Sequence, residues 1–272
     1  MKTHLLLLAA LTSSACNAEW FANTPLQDTY QALIEGHPER AWQELHLTLG
    51  NQELESQYWL PVKQEILNQT RCGLDLSERP VLEPIKIHFI RRLGQTSTGF
   101  QIKVSAEQIK TSTPFSIITP NGKRLIEGKL VTKEGYQERE SQEMLITPPS
   151  GVYQLVLGSV SYPLIISLSN DNPWLALSKK AKPKLVLTMP ETPSNCANAF
   201  ASWQWFDSQY QQLGRAIPIS DKTADIPSPH HESNGAEYLS ASVKVREYQN
   251  GIAIDYVHRM SIPYTPEPAK RK

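Results

Sequence analysis

The chain has 272 residues, 27 acidic and 27 basic side chains, 20 prolines against 13 glycines, and three cysteines. That length admits one large domain or two small ones. The balanced charge leaves no whole-chain basic field of the kind that draws a protein to nucleic acid, so no nucleic-acid partner is expected.

Residues 1–18 read as an export signal. Lys2 supplies the positive start, Leu5 to Leu11 the apolar stretch, and Thr12 to Ala18 the small-residue end. The apolar run is too short to span a bilayer, and no later segment is long and apolar enough to do so. Cleavage after Ala15 or Ala18 would release a periplasmic or secreted protein. Alternatively, Ser13-Ser-Ala-Cys16 resembles a lipoprotein processing site, with Ser13 where a Leu is usual, and Cys16 would then carry a lipid anchor.

Cys72 and Cys196 remain. Two cysteines in an oxidising compartment usually pair. A Cys72–Cys196 disulfide would tie the end of a helical region to a point deep in a strand region. In the chain-entropy account so long a loop contributes about 4 to 5 kcal/mol.

Residues 19–72 carry helical periodicity. Thr24, Pro25 and Gln27 have the spacing of a capped helix start, followed by the stripe Leu26, Tyr30, Leu33 and Ile34 and a stop at Gly36. Pro38 opens a second helix with the stripe Ala41, Trp42, Leu45 and Leu49, ended by Gly50. A third pattern runs from Leu54 to Leu67 through Tyr58, Trp59, Val62 and Ile66, and Pro61 inside it predicts a kink or a restart near Leu60. Ala32-Leu33, Gly36, Ala41 and Leu45 resemble part of one tetratricopeptide unit. Such arrays need about three repeats to be stable, so the expectation is a lone helical hairpin with one extra helix.

Asp75 to Pro84 reads as a linker, and strands follow. Ile85 to Ile90 and Phe100 to Val104 alternate; Phe115 to Thr119 enters the turn Pro120-Asn-Gly-Lys123; Leu125 to Val131 and Met144 to Ile146 follow. Gly158-Ser159 then joins Gly151 to Leu157 with Val160 to Leu168. A type II′ turn there pairs Leu157 with Val160, Leu155 with Tyr162 and Tyr153 with Leu164. Asn170 to Pro183 reads as a second linker, with a basic run at Lys179, Lys180, Lys182 and Lys184 that suits a solvated connector. A further strand begins at Lys184, Trp203 to Asp207 follows, and Ser220 to Asn234 reads as an exposed loop. Asn250-Gly251 is a type I′ signal pairing Val245 with Tyr256, Val243 with His258, Ala241 with Met260 and Leu239 with Ile262.

The fold class expected is mainly β with an N-terminal α-helical module and two antiparallel β-sandwich-like modules, immunoglobulin-like or jelly-roll-like. The modules fall at residues 80–178 and 183–263, and residues 264–272 form a disordered tail. Trp20-Phe21, Thr24-Pro-Leu26, Thr29-Tyr-Gln-Ala-Leu33 and Trp205-Phe-Asp207 resemble a vibrio-type family of exported envelope proteins of unknown function. The resemblance implies location and lineage, with some members encoded beside an envelope-sensing two-component system. None of the four segments is a chemical motif.

No Gly-x-Ser-x-Gly elbow, Ser-x-x-Lys, phosphate loop, dinucleotide fingerprint or His-Glu-x-x-His is present. His230, His231 and Glu232 cluster locally, but adjacent histidines on a loop do not close a metal site, so neither metal nor cofactor is expected. His258 faces the apolar side of its hairpin, as a hydrogen-bonded core histidine would. Only a fold that brought Asp207 and Asp255 to it would make a triad and a cell-wall hydrolase. Trp203 and Trp205 share a strand face near Tyr210, either as core or as a glycan-stacking platform. Tyr30, Trp42, Tyr58 and Trp59 exceed what a three-helix piece needs for its own core, and so are candidates for a protein-docking face. The leading expectation is a non-catalytic, extracytoplasmic binding or scaffolding factor of the bacterial envelope, with a glycan-binding surface or matrix protein as the alternative.

Overall fold

The computed structural model describes residues 24–77, 80–81, 83–94, 97–168, 172–179, 182–229 and 233–262. The export signal, Cys16, Trp20-Phe21, Lys180, the His230-His231-Glu232 cluster and the tail lie outside the described residues.

Three helices open the described chain: α1 (Gln27–Ile34), α2 (Pro38–Asn51) and α3 (Ser56–Gln69). α1 starts two residues later than its sequence signal. Leu26 occupies the N-cap without a side-chain cap, and the Thr24 carbonyl takes the Gln27 N–H at 3.0 Å. Ile34, the last residue of the expected stripe, sits at the helix end and is exposed. Pro38 occupies the first turn of α2, where its missing N–H costs nothing. α3 runs unbroken through Pro61. The hydrogen bond that Pro61 forgoes would have gone to the carbonyl of Gln57, an exposed residue open to solvent. Leu26, Ala32, Ala41, Trp42, Leu45, Trp59, Val62 and Ile66 form the core of this module. That core continues onto Val152 and Ile165 of the β region.

Fourteen strands follow among the described residues: β1 (Ile85–Leu93), β2 (Thr98–Ile109), β3 (Thr113–Ile118), β4 (Arg124–Leu130), β5 (Lys133–Glu140), β6 (Gly151–Leu157), β7 (Val160–Ile166), β8 (Leu175–Leu177), β9 (Lys184–Leu187), β10 (Phe200–Phe206), β11 (Gln212–Pro218), β12 (Thr223–Asp225), β13 (Tyr238–Gln249) and β14 (Ile252–Ile262). One seven-stranded sheet has the order β11-β10-β13-β14-β1-β2-β5. It is antiparallel except where β1 meets β14. Strands from residues 80–178 and from 183–263 therefore meet in a single sheet.

Two smaller sheets cover its inner face. The four-stranded sheet β4-β3-β6-β7 closes a core over Ile85, Ile87, Phe89, Ile102, Val104, Ile252 and Ile254. The three-stranded sheet β12-β9-β8 closes a second core over Leu93, Ala201, Trp203, Trp205, Leu239, Ala241 and Val243. The fold is mainly β, with two sandwich-like packings that share one long sheet.

Both hairpins have the register their turns dictate. Leu157, Leu155 and Tyr153 pair with Val160, Tyr162 and Leu164. Val245, Val243, Ala241 and Leu239 pair with Tyr256, His258, Met260 and Ile262. Asn250 and Gly251 both have positive φ, 52° and 77°, as a type I′ turn requires.

Three expectations are corrected. Met144 to Ile146 is not a strand. Met144 makes one bridge to Phe100, and Leu145 and Ile146 project into solvent. The segment read as a linker at Asn170 to Pro183 contains β8, whose Leu175 is fully buried against β9. The loop at Ser220 to Asn234 contributes β12, which pairs with β9.

Val243 is fully buried in the second core. Val243→Asp should cost about 4 kcal/mol or more, because an unpaired carboxylate cannot be accommodated there. Val160→Asp at the half-exposed hairpin tip should cost little. Urea titration of both variants checks the pair, and a stable Val243→Asp protein would overturn the core assignment.

Candidate functional site

α3 lies along the junction between the two sandwich-like packings. Four separate contacts hold it there. The Cys72–Cys196 disulfide, with Cα atoms 4.8 Å apart, joins the end of the helical module to the segment before β10. Asn68 grips the same segment: its Oδ1 accepts from Ser194 Oγ at 2.7 Å and its carbonyl accepts from Asn195 Nδ2 at 2.7 Å. The Cys72 carbonyl accepts from Tyr248 N at 2.9 Å. Gly73 follows with φ +89°, and a Cβ there would meet the Tyr248 carbonyl oxygen at 2.0 Å, so this close approach requires glycine.

The fourth contact is a buried polar network. Lys63 Nζ on α3 donates to Glu247 Oε1 on β13 at 2.8 Å and to the Tyr256 hydroxyl on β14 at 3.1 Å. Tyr256 donates to the same Glu247 oxygen at 3.0 Å, and Gln249 Nε2 donates to it at 2.6 Å. Gln249 also bonds both backbone groups of Ile165, accepting from its N–H at 2.8 Å and donating to its carbonyl at 2.9 Å. Its amide thus pairs with β7 as another strand would. Burial pushes the Lys63 ammonium down and Glu247 pulls it back up. Burial and then Glu247 hold the Tyr256 hydroxyl well above its ordinary range.

Beside this network a cleft of about 340 Å³ opens between α3, the inner face of the long sheet, and the Pro190–Pro193 segment. Its walls are mostly apolar, from Leu60, Leu67, Phe89, Phe100, Met144 and Trp174; Lys63, Glu247, Tyr256, Arg91 and His258 add polar groups.

His258 is a core histidine. Its Nδ1 accepts from Trp174 N at 3.1 Å, and its ring stacks on the Trp174 indole at 3.9 Å. Burial, and then the Arg91 charge, lower its pKa to about 3, so it stays neutral. The acceptor role of Nδ1 leaves Nε2 as the protonated nitrogen. The expected carboxylates do not reach it. Asp255 projects from the opposite face of β14. Asp207 closes the turn after β10, where its Oδ1 accepts from Gln209 N and Gln211 N at 2.9 and 2.8 Å.

Asp255 instead meets His88, a contact that sequence reading missed because the two residues lie 167 positions apart. On the outer face of the sheet, His88 Nδ1 lies 3.2 Å from Asp255 Oδ2, and His88 Nε2 lies 3.2 Å from Ser105 Oγ. The connectivity is that of a Ser-His-Asp triad; the surroundings are not. Arg246 clamps the Asp255 carboxylate through both oxygens at 2.7 and 2.9 Å. Burial alone would raise that carboxyl, but Arg246 and His88 outweigh it and hold it well below the usual range. Ser105 is buried in mid-strand between β1 and β5, so neighbouring amides are committed to ladders rather than aimed at a developing oxyanion.

The other candidate residues are distributed as follows. Trp42 and Trp59 are buried in the helical core and offer no face to a partner; Tyr30 is half-buried and Tyr58 exposed. Trp203 and Trp205 are buried under the three-stranded sheet, so neither indole can stack on a glycan. Tyr210 is exposed, with one ring face stacked on Tyr238 at 4.5 Å. Lys184 pairs with Asp225 across β9 and β12.

Removing Lys63 leaves Glu247 buried without its cation. Lys63→Met should therefore cost about 3 to 5 kcal/mol, read as a fall in the urea midpoint; a neutral substitution would show that the pair contributes no register.

Acid should destabilise the fold through its buried histidines. His258, at about 3, and His46, lowered to about 4 by burial and then Lys63, are neutral when folded and protonate near 6.5 when unfolded. The unfolded state binds more protons below that value, so stability falls as pH drops, by about 2 kcal/mol per histidine between pH 7 and pH 5. Asp255 adds a further loss below about pH 4, where the unfolded chain takes up a proton on this carboxyl while the folded protein keeps it ionised. Thermal midpoints across this range check the slope, and His46→Gln should flatten it.

Residues 20–265 match the model of the family described as Protein of unknown function (DUF2861). No curated protein matches the chain. Among solved structures, a "Biofilm associated protein - BSP domain" aligns over 68% of this chain and 30% of its own length, at 14% identity and a TM-score of 0.22. The "Periplasmic Chaperone SfaE" aligns over 64% of this chain and 99% of its own, at 10% identity and a TM-score of 0.20. The chain thus spans under a third of the biofilm-associated match, and both similarities are too low to carry an argument. Among the described residues no helix is long and apolar enough to cross a membrane.

Proposed function

The chain belongs to the DUF2861 family, and from its geometry we propose that it is a non-catalytic, extracytoplasmic binding or accessory factor of the cell envelope. Its receiving surface is the cleft beneath α3. The observation that carries this reading is the way the cleft is framed. A disulfide, a buried ion pair and the Asn68 bonds all fix the helix that forms its wall, which is what a preorganised binding site requires. Within it Lys63, Glu247 and Tyr256 satisfy one another, and His258 is neutral and stacked on Trp174.

An oxidising, extracytoplasmic location is supported by the disulfide together with the export signal read at residues 1–18. The likeness to exported vibrio-type envelope proteins agrees with it. A protein partner would meet this cleft and its rim rather than Trp42 and Trp59, which are enclosed.

A photo-crosslinking residue at Gln64, exposed on α3 at the cleft, tests the reading in intact cells. The same residue at Gln43, exposed on α2, is the control. Adducts with an envelope component should form from Gln64 and not from Gln43. Equal capture from both positions, or none from Gln64, would overturn the cleft as the binding surface.

A further inference from the structure

We infer that the cleft beneath α3 binds a single-chain fatty acid, with the acyl chain between α3 and the long sheet and the carboxylate near His258 and Arg91. The inference rests on the cleft being the binding surface proposed above.

Three observations lead to this class of ligand. The first concerns backbone groups. The cleft floor is formed by β1, β2, β13 and β14, all interior strands of the seven-stranded sheet. Where they line the cleft, β1 and β14 are paired on both sides and the outer side of β2 is taken up by Met144 and Ser141; of the four strands only β13, past Lys244 where β10 ends, lacks a second strand partner among the described residues, and Tyr248 N there bonds the Cys72 carbonyl. A peptide laid there would bury amides with nothing to bond, at a cost that an acyl chain avoids. The second is size and lining: about 340 Å³ with mostly apolar walls is at the small end of ligand sites and suits one chain rather than a two-chain lipid.

The third is the rim. Met144 and Pro148 both line the cleft, and Leu145 and Ile146 lie between them in the chain. There Leu145 is 79% and Ile146 is 84% exposed, the two most exposed large hydrophobic side chains among the described residues. Met144 is pinned to Phe100 by two backbone bonds, of 2.7 and 2.8 Å, so the apolar pair is held out from the mouth by a fixed base. Such a rim suits contact with a lipid surface from which a chain enters. At the polar end, His258 keeps Nδ1 for the Trp174 amide and has Nε2–H as its donor, and the Arg91 guanidinium lines the same cleft. A carboxylate matches that pair.

The test uses the purified mature chain with its disulfide intact and cis-parinaric acid as the probe. Binding should be saturable with one probe per chain, and tryptophan excitation should sensitise probe emission because Trp174 lines the site. Met144→Trp, which fills the cleft, and Gln64→Trp, which narrows its mouth, should each weaken binding tenfold or more. Circular dichroism and melting midpoint should stay at the wild-type values. Palmitate should displace the probe, and its methyl ester should do so far less well. Absence of saturable binding, or unchanged affinity in both variants, would overturn the inference. So would equal displacement by the ester, which removes the carboxylate from recognition. Protein adducts from Gln64 without parinarate binding would leave the cleft as a binding surface and remove the fatty acid; failure of both would remove both.

Discussion

Lys63 cannot be buried without Glu247. An ammonium withdrawn from water loses several kcal/mol of solvation, and only a close carboxylate with its remaining valences filled offsets that loss. The donors to Glu247 come from α3, β13 and β14, and Gln249 carries the network on to β7. One carboxylate therefore fixes the helical module, the long sheet and the four-stranded sheet relative to one another. The apolar contacts of the helical module with Val152 and Ile165 supply area. The hydrogen bonds supply direction, since they are lost if the helix slides by a single residue.

The position of the cleft follows from the sheet. A seven-stranded sheet twists along its length, and two small sheets packed on the same face cannot meet flush across that twist. The gap between them exposes the middle of the inner face, where Phe89, Tyr256 and His258 lie. α3 and the segment before β10 close most of it, and the Cys72–Cys196 bond joins these two walls directly. The width of the cleft is thus tied to the disulfide as well as to packing. A chain whose second wall carried no covalent link would rely on the exposed Asn68 bonds to Ser194 and Asn195, each of which competes with water.

Much of the fold was legible because local signals and periodicity agreed. Gly158-Ser159 and Asn250-Gly251 fixed two registers, and strand alternation placed Tyr153, Leu155, Val243 and Leu239 inside. Two cysteines in a chain whose start reads as an export signal pointed to the disulfide that the structure contains. The missed strands lack that alternation: β5 reads Lys133-Glu-Gly-Tyr-Gln-Glu-Arg-Glu140 and lies at the edge of its sheet, where charge protects against further pairing. β8 and β12 have three residues each, too few for a period to register. The parallel pairing of β1 with β14 joins the two ends of the β region, and nothing local encodes it. That pairing is what brings His88 to Asp255, so the outer-face cluster was not legible. Of the helical aromatics, Trp42 and Trp59 fill the core of the helical module itself, Tyr30 is half-buried and Tyr58 stays exposed.

The β13–β14 hairpin shows how closely the site depends on register. At its centre Arg246 and Asp255 face outward as a bidentate pair, while Glu247 and Tyr256 face inward to Lys63. Both faces are thus polar at the same level of the hairpin, and strict apolar alternation fails there. Because side-chain direction alternates at every residue, a slip of one position on β13 would turn Arg246 inward beneath α3. A guanidinium would then lie against Lys63, and Glu247 would face outward beside Asp255. Two like-charge contacts would replace two ion pairs. The Asn250-Gly251 turn, with its two positive φ values, fixes the register in which this does not happen. The floor of the cleft is therefore specified by two turn residues on the surface, a few residues from the carboxylate they position.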